Sequence, residues 1–194
     1  KKGVKPLKET LAIRRLYSQI QNQLFQMIPE NFESIYLYCS IIESIKESPI
    51  GEMYFYYTPK GLLKRNPVNV YEIPDKFNIS DEVYSKLINE LYVLFKQLRE
   101  EFIKNNEKVW TNLTITIKNL CFTIEYFYDD ITLSEYSNLE RHIIWKYQYV
   151  QKDLSTYTKK ERELIQKYIE KKERTFYQEG SYKEKNKKAF NYLT

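Results

Sequence analysis

A chain of 194 residues is long enough for one domain with a sizeable core and short for two. It is 42% hydrophobic and 16% aromatic, with 19 Tyr against 2 Trp, while Gly numbers only 4, which argues against a glycine-loop phosphate cradle. The net charge of +5 conceals a division: residues 1–20 and residues 151–194 each carry +5, so the stretch between them is an acidic body of −5.

Tyrosine is costly to bury unless its hydroxyl finds a partner, so many of these rings should lie at the edge of the core or in an interface. No run of 18 apolar residues occurs, so no membrane-spanning helix is expected. The N-terminal KKGVKPLKET is basic, and Arg14 and Arg15 interrupt the apolar residues after it, so it does not read as a signal peptide. Cys39 and Cys121 lie in the apolar runs YLYCSII and NLCFTIEY. Buried free thiols are favoured there over a disulfide. One histidine, His142, and two dispersed cysteines make no zinc cluster of usual spacing, and no metal or other cofactor is expected.

In chain order, Leu7, Leu11, Leu16, Ile20, Leu24, Met27 and Ile28 repeat at three-four spacing and predict a helix over 7–28, ended by Pro29. SIYLYCSIIES (34–44) is β-branched and aromatic and predicts a strand. SPIG (48–51) punctuates, and EMYFYYT (52–58) predicts a second strand, paired with the first as a hairpin. PKGLLKRNP (59–67) reads as a polar turn, VNVYEI (68–73) as a third strand and PDKFNIS (74–80) as a loop. A helix is predicted over 81–104, with Ser80 able to cap it and Asp81 and Glu82 suited to its positive end. Its core stripe reads Val83, Tyr84, Leu87, Leu91, Leu94, Leu98 and Phe102.

TNLTITIK (111–118) alternates cleanly, and CFTIEYFY (121–128) is its expected partner across a tight turn at Lys118 and Asn119. Ser137 and Glu140 form a capping box ahead of a helix over about 137–150, and Thr158 and Glu161 form another ahead of a charged helix to about 177. The last residues, GSYKEKNKKAFNYLT, have little apolar surface to bury and read as weakly folded or partner-dependent. Strand pairs with short turns, helices between and after them, and no repeat predict an α+β domain: an antiparallel sheet of about 4–5 strands packed with helices. The expected division is one domain over 1–160 with a basic N-terminal segment, then a charged helix and Lys-rich tail over 161–194.

The chain carries no serine-nucleophile motif, Walker loop, HExxH helix or Cys–His arrangement, so no catalytic residue is assigned. His142, in a helix rich in large apolar groups, reads as a packed or capping residue. Glu125, Asp129 and Asp130 are the densest acidic cluster. They read first as a strand end and surface charge, and then as a partner contact, with a metal site far less favoured. Tyr126 and Tyr128 alternate beside them. Tyr54, Tyr56 and Tyr57 make a second ring-rich strand, read as an edge packed by helices or as an aromatic platform. The candidate partner-binding residues are therefore Glu125, Tyr126, Tyr128, Asp129, Asp130, Tyr54, Tyr56 and Tyr57. Trp110 and Trp145 read as core anchors. Base stacking by the tyrosines is disfavoured by the acidic body and by the lack of an RNA-binding signature, which leaves weak nonspecific contact with nucleic acid by the basic ends.

Seven stretches in order resemble the YezG-like (YezG/EsaG) family of bacterial immunity proteins: IPENFESIYLY (28–38), YFYYTP (54–59), IPDKFNIS (73–80), LYVLFKQLREEF (91–102), VWTNLTITI (109–117), FTIEYFYDD (122–130) and ERHIIWKYQYV (140–150). Their order and spacing, rather than any one of them, carry the likeness. The resemblance implies a cytoplasmic antitoxin with no catalytic residues. Its partner would be a cognate toxin, a nuclease-type domain exported by the type VII (LXG or Esa) route. The basic N-terminal segment, the loop GLLKRNPVNV, Val109 where proline is expected, and the extension beyond about 160 depart from the family pattern. An acidic, aromatic-rich body suits a binder of a basic nuclease, which it would meet by electrostatic steering. The alternative is a small nucleic-acid-associated or regulatory protein using its basic termini.

Overall fold

The clean alternation over 111–118 appears in the computed structural model, which describes residues 9–41, 51–61, 65–179 and 187–190, as strand β4, Asn112–Lys118. β4 pairs antiparallel with β1 (Phe32–Ser40) on one side and β5 (Cys121–Phe127) on the other. β1 pairs with β2 (Met53–Pro59), and β2 pairs with the two-residue β3 (Val68–Asn69). The sheet is antiparallel throughout, in the order β3-β2-β1-β4-β5-β6. Its last member, β6 (Lys187–Phe190), comes from the tail, which the sequence reads as weakly folded. The α+β architecture therefore holds, with a short tail strand added to a five-strand body.

Alternation along each strand sends neighbouring residues to opposite faces. One face presents Ile35, Leu37 and Cys39 of β1, Phe55 and Tyr57 of β2, Leu113, Ile115 and Ile117 of β4, and Phe122, Ile124 and Tyr126 of β5, all buried in one cluster. Helices α1 (Leu11–Gln26) and α3 (Asp81–Lys104) cover it. In α1, Ile13, Leu16, Tyr17, Ile20 and Leu24 recur at three-four spacing and are buried. The start comes four residues later than the predicted helix. Thr10 caps it by accepting from the Ile13 amide at 3.2 Å, and Leu11 is 72% exposed rather than in the stripe. Leu7 lies outside the described residues. In α3 the buried stripe is Tyr84, Leu91, Phe95, Leu98 and Phe102, with Val83 exposed. Ser80 stands at the N-cap but makes no side-chain cap hydrogen bond, so the helix start rests on Asp81 and Glu82 in its first turn.

The third predicted strand is mostly something else. After Asn69 the chain makes a 3-10 turn over Val70–Glu72 and then α2, Ile73–Phe77, where the sequence reads a loop. Pro74 suits the first turn of a helix, where its missing N–H costs nothing. Val70 and Ile73, three apart, both enter the core, a spacing that fits a helical turn and would put them on opposite faces of a strand.

On the opposite face lie α4 (Asn138–Tyr149) and α5 (Lys159–Glu179). Both predicted capping boxes are present. The Ser137 hydroxyl accepts from the Glu140 amide and the Glu140 carboxylate accepts from the Ser137 amide. Thr158 and Glu161 do the same at the head of α5. The two cysteines are free thiols. Cys39 pairs with Leu113 at one end of the sheet and Cys121 pairs with Lys118 at the other, too far apart for a disulfide. Among the described residues no helix is long and apolar enough to cross a membrane.

A candidate partner-binding face

β5 carries one member of the acidic cluster, Glu125, and its alternation turns Glu125 and Tyr126 to opposite faces. Tyr126 faces the main core, where its hydroxyl shares a 2.8 Å hydrogen bond with that of Tyr17 and its ring packs on Phe102 and Trp110. Burial pushes that phenol well above its ordinary pKa, so it stays neutral. Tyr57 is likewise fully buried in the main core, with its hydroxyl donating to Glu30 at 2.6 Å while the Lys76 ammonium donates to the same oxygen. Neither ring presents contact area to a partner. Both are structural side chains.

Glu125 faces the other way. It is only 8% exposed and lies in a cleft of about 730 Å³ between the sheet and the two C-terminal helices. Thr116, Thr123, Tyr149, Tyr168 and Lys172 line the cleft with it. Tyr149 is held neutral chiefly by burial, with the Glu125 charge adding to the shift. Tyr168 accepts from the Gln148 amide at 2.6 Å, which fixes α5 against α4. Sequence reasoning missed this cleft. Its only trace was Tyr168 and Lys172 at four-residue spacing on a helix that reads as solvated charge.

Beyond the strand end the remaining acidic residues are exposed. Asp130 accepts from the Thr132 amide at 2.9 Å and the Thr132 hydroxyl at 2.6 Å, and these two bonds hold its carboxyl below the ordinary range. Tyr128 is half-buried, with the Lys108 ammonium 4.4 Å from its ring centroid. The exposed Asp129 and Asp130 open a segment in which Leu133 is 81% and Leu139 68% exposed, with Glu135 between them. Acidic and apolar side chains thus share one accessible stretch, and those two leucines were not singled out in the sequence.

Tyr54 and Tyr56 lie on the α4 side of the sheet. Tyr54 stacks on His142 with ring centroids 4.0 Å apart and on Tyr38 at 4.8 Å. Its hydroxyl donates to Glu52, which also receives Arg141 from α4. The Tyr56 hydroxyl and His142 Nε2 are 2.9 Å apart, and burial raises the Tyr56 phenol to about 12. His142 is pulled below its ordinary pKa first by burial and then by the Lys146 charge. Trp145 completes the cluster, and its indole N–H donates to the Thr114 hydroxyl at 3.0 Å. Helix α4 therefore packs over these rings as an aromatic mini-core. Trp110 is fully buried in the main core. Among the described residues no group of three or more His, Cys, Asp or Glu is placed to hold a metal ion.

The α+β domain thus carries an exposed acidic stretch with two bare leucines, and a cleft lined by Glu125. The family model described as "Immunity protein YezG-like" matches residues 13–166, and the chain belongs to this family. It is 38% identical over 134 residues to Immunity protein YezG of Bacillus spizizenii, an alignment covering 69% of this chain and 79% of that protein. With Immunity protein YezG of Bacillus subtilis the identity is 34% over 134 residues, 69% of this chain and 84% of that one. With the type VII secretion system protein EsaG of Staphylococcus aureus it is 29% over 138 residues, 70% of this chain and 80% of that one.

Proposed function

We propose that this protein neutralises a cognate toxin by binding it in the cytoplasm of the producing cell, and that the toxin is a nuclease-type domain exported by a type VII pathway. The family supports the immunity role, and the likeness to a type VII secretion system protein supports the route. The observation that carries the mode of action is the exposed stretch from Asp129 to Leu139, where carboxylates and two bare leucines lie together on a net-acidic body. Nuclease domains carry positive charge to hold phosphates, so an acidic face speeds encounter while leucines supply area removed from water. Inhibition needs no chemistry from the immunity protein, and none is assigned.

The test is inhibition of a cognate nuclease-type toxin domain by stoichiometric amounts of the purified chain, followed by Asp129→Asn/Asp130→Asn. Asparagine keeps the local turn bonds and removes the charge. The double variant should associate more slowly at low salt, with the difference shrinking as salt rises, and its melting temperature should stay close to that of the parent. Unchanged association and dissociation in a folded double variant would remove this face. Nuclease activity that persists at equimolar immunity protein would remove the whole reading.

A further inference from the structure

The two edges of the sheet are finished differently. On one side β3 is two residues long, pairs with Tyr56 and Tyr57 of β2 and runs straight into a 3-10 turn. On the other side β5 is a seven-residue strand, a row of backbone donors and acceptors that is a ready template for another strand. Among the described residues, the chain's own tail pairs with four of its positions: Phe122 opposite Phe190, Thr123 opposite Ala189, Ile124 opposite Lys188 and Glu125 opposite Lys187.

Two further observations separate this tail strand from the rest of the sheet. It lies outside the residues matched by the family, which end at 166, so the shared domain is defined without it. It also brings a basic residue into register with an acidic one, since Lys187 stands opposite Glu125, whose side chain lines the α4–α5 cleft.

We propose that the outer edge of β5 is a strand-accepting site for a basic segment of the toxin, with Glu125 selecting for positive charge. The chain's own Lys187–Phe190 holds that site in cis until the toxin displaces it. This rests on the immunity reading above. A four-residue strand is a weak occupant made competitive by its tether, because a short linker raises its local concentration. A toxin strand that pairs along all seven residues gains more ladder bonds and displaces it. The tail thereby guards an edge that would otherwise invite pairing with other chains.

The experiment uses the full chain and Lys188→Pro/Ala189→Pro. Alternate residues of a strand turn their N–H toward the same neighbour, so one of two consecutive prolines removes a donor aimed at β5 wherever the register falls. Far-UV dichroism checks that the body stays folded, and hydrogen exchange should rise at β5 amides. The first probe is a labelled peptide of residues 184–194 added in trans. It should bind the proline variant about tenfold more tightly than the parent, because the cis competitor is gone. Glu125→Gln in the proline background should weaken that binding and flatten its salt dependence. Equal peptide binding by parent and variant, or none by either, overturns the strand-accepting edge. The second probe is the toxin domain, which should associate faster with the proline variant and be displaced by the peptide. Toxin binding that ignores both the prolines and the peptide overturns the toxin as occupant. Absence of toxin binding by every form overturns the immunity reading instead, while the peptide arm still decides what the edge accepts.

Discussion

On one face of the sheet, Ile35, Leu37, Phe55, Ile115 and Ile124 meet α1 and α3 in a cluster built almost wholly of hydrocarbon and rings. On the other, Tyr38, Tyr54, Tyr56 and Thr114 meet α4 through hydroxyls, an imidazole and an indole N–H. The first face is stabilised by area removed from water and tolerates little change of volume. The second is stabilised by a few directional bonds whose loss leaves a buried polar atom without a partner. The first face is the larger cluster, and the second carries the cleft. If the two faces open independently, a partner could perturb the second without unfolding the first.

The largest test of the contrast is Phe102→Ala. This ring is fully buried against Tyr126, and its removal should cost about 3–5 kcal/mol, seen as a large drop in the midpoint of urea unfolding. Any loss of binding should then track the unfolded fraction. Trp145→Phe tests the other face. It keeps a ring in the mini-core but strips the bond to Thr114, which is nearly inaccessible to water, so the expected cost is about 1–3 kcal/mol. Exchange should rise in α4 and remain unchanged in α1 and α3. A uniform rise across all helices would show that the two faces are one cooperative unit.

The next effect is smaller and depends on pH. His142 has its folded pKa below the ordinary 6.5. Above that value the residue is neutral in both states and contributes no pH dependence. As pH falls through 6.5 the unfolded chain takes up a proton that the folded chain resists, so stability declines until the folded pKa is reached. The melting temperature of the parent should fall between about pH 7.5 and 5.5, above the range in which carboxylates titrate. His142→Phe keeps the stacking on Tyr54 and should flatten that slope, although loss of the Tyr56 bond lowers stability at both ends. An identical slope in the variant would assign the pH dependence elsewhere.

These contrasts also show what the sequence made legible. Both capping boxes, the helix over 81–104 and the β4–β5 pair were readable because each rests on local rules: a side chain three residues from its partner amide, a period of 3.6, a period of two. The same period of two showed that Glu125 and Tyr126 take opposite faces. It does not say which face the helices bury more deeply, and so Tyr126 and Tyr57 read as candidate contacts although they are core. The segment 68–77 failed because VNVYEI fits a strand and a turn about equally, and packing of Val70 and Ile73 decided between them. The cleft around Glu125 depends on α5 folding back over the sheet, a long-range arrangement with no local signature.

The smallest expected effect has the opposite sign and belongs to neither face. The β4–β5 hairpin turns through Asn119 and Leu120, with φ of 50° and 61°, both in the left-handed region. A two-residue hairpin turn of this kind demands positive φ at both positions and favours Asn followed by Gly. Asn119 fits that pattern. Leu120 does not, because its Cβ crowds the following carbonyl at a cost of about 1–2 kcal/mol. Its side chain offers little in return, being 74% exposed. Leu120→Gly should therefore raise stability, by less than the relief of strain because glycine also adds freedom to the unfolded chain; about 0.5–1 kcal/mol is expected. Leu120→Ala keeps the Cβ and should gain almost nothing, which separates backbone strain from loss of an exposed apolar group. If alanine gains as much as glycine, the leucine was costly as a side chain and not as a conformation. The gain should leave the pH slope of His142 untouched, because the turn joins the two strands without contributing to the mini-core on which that slope depends.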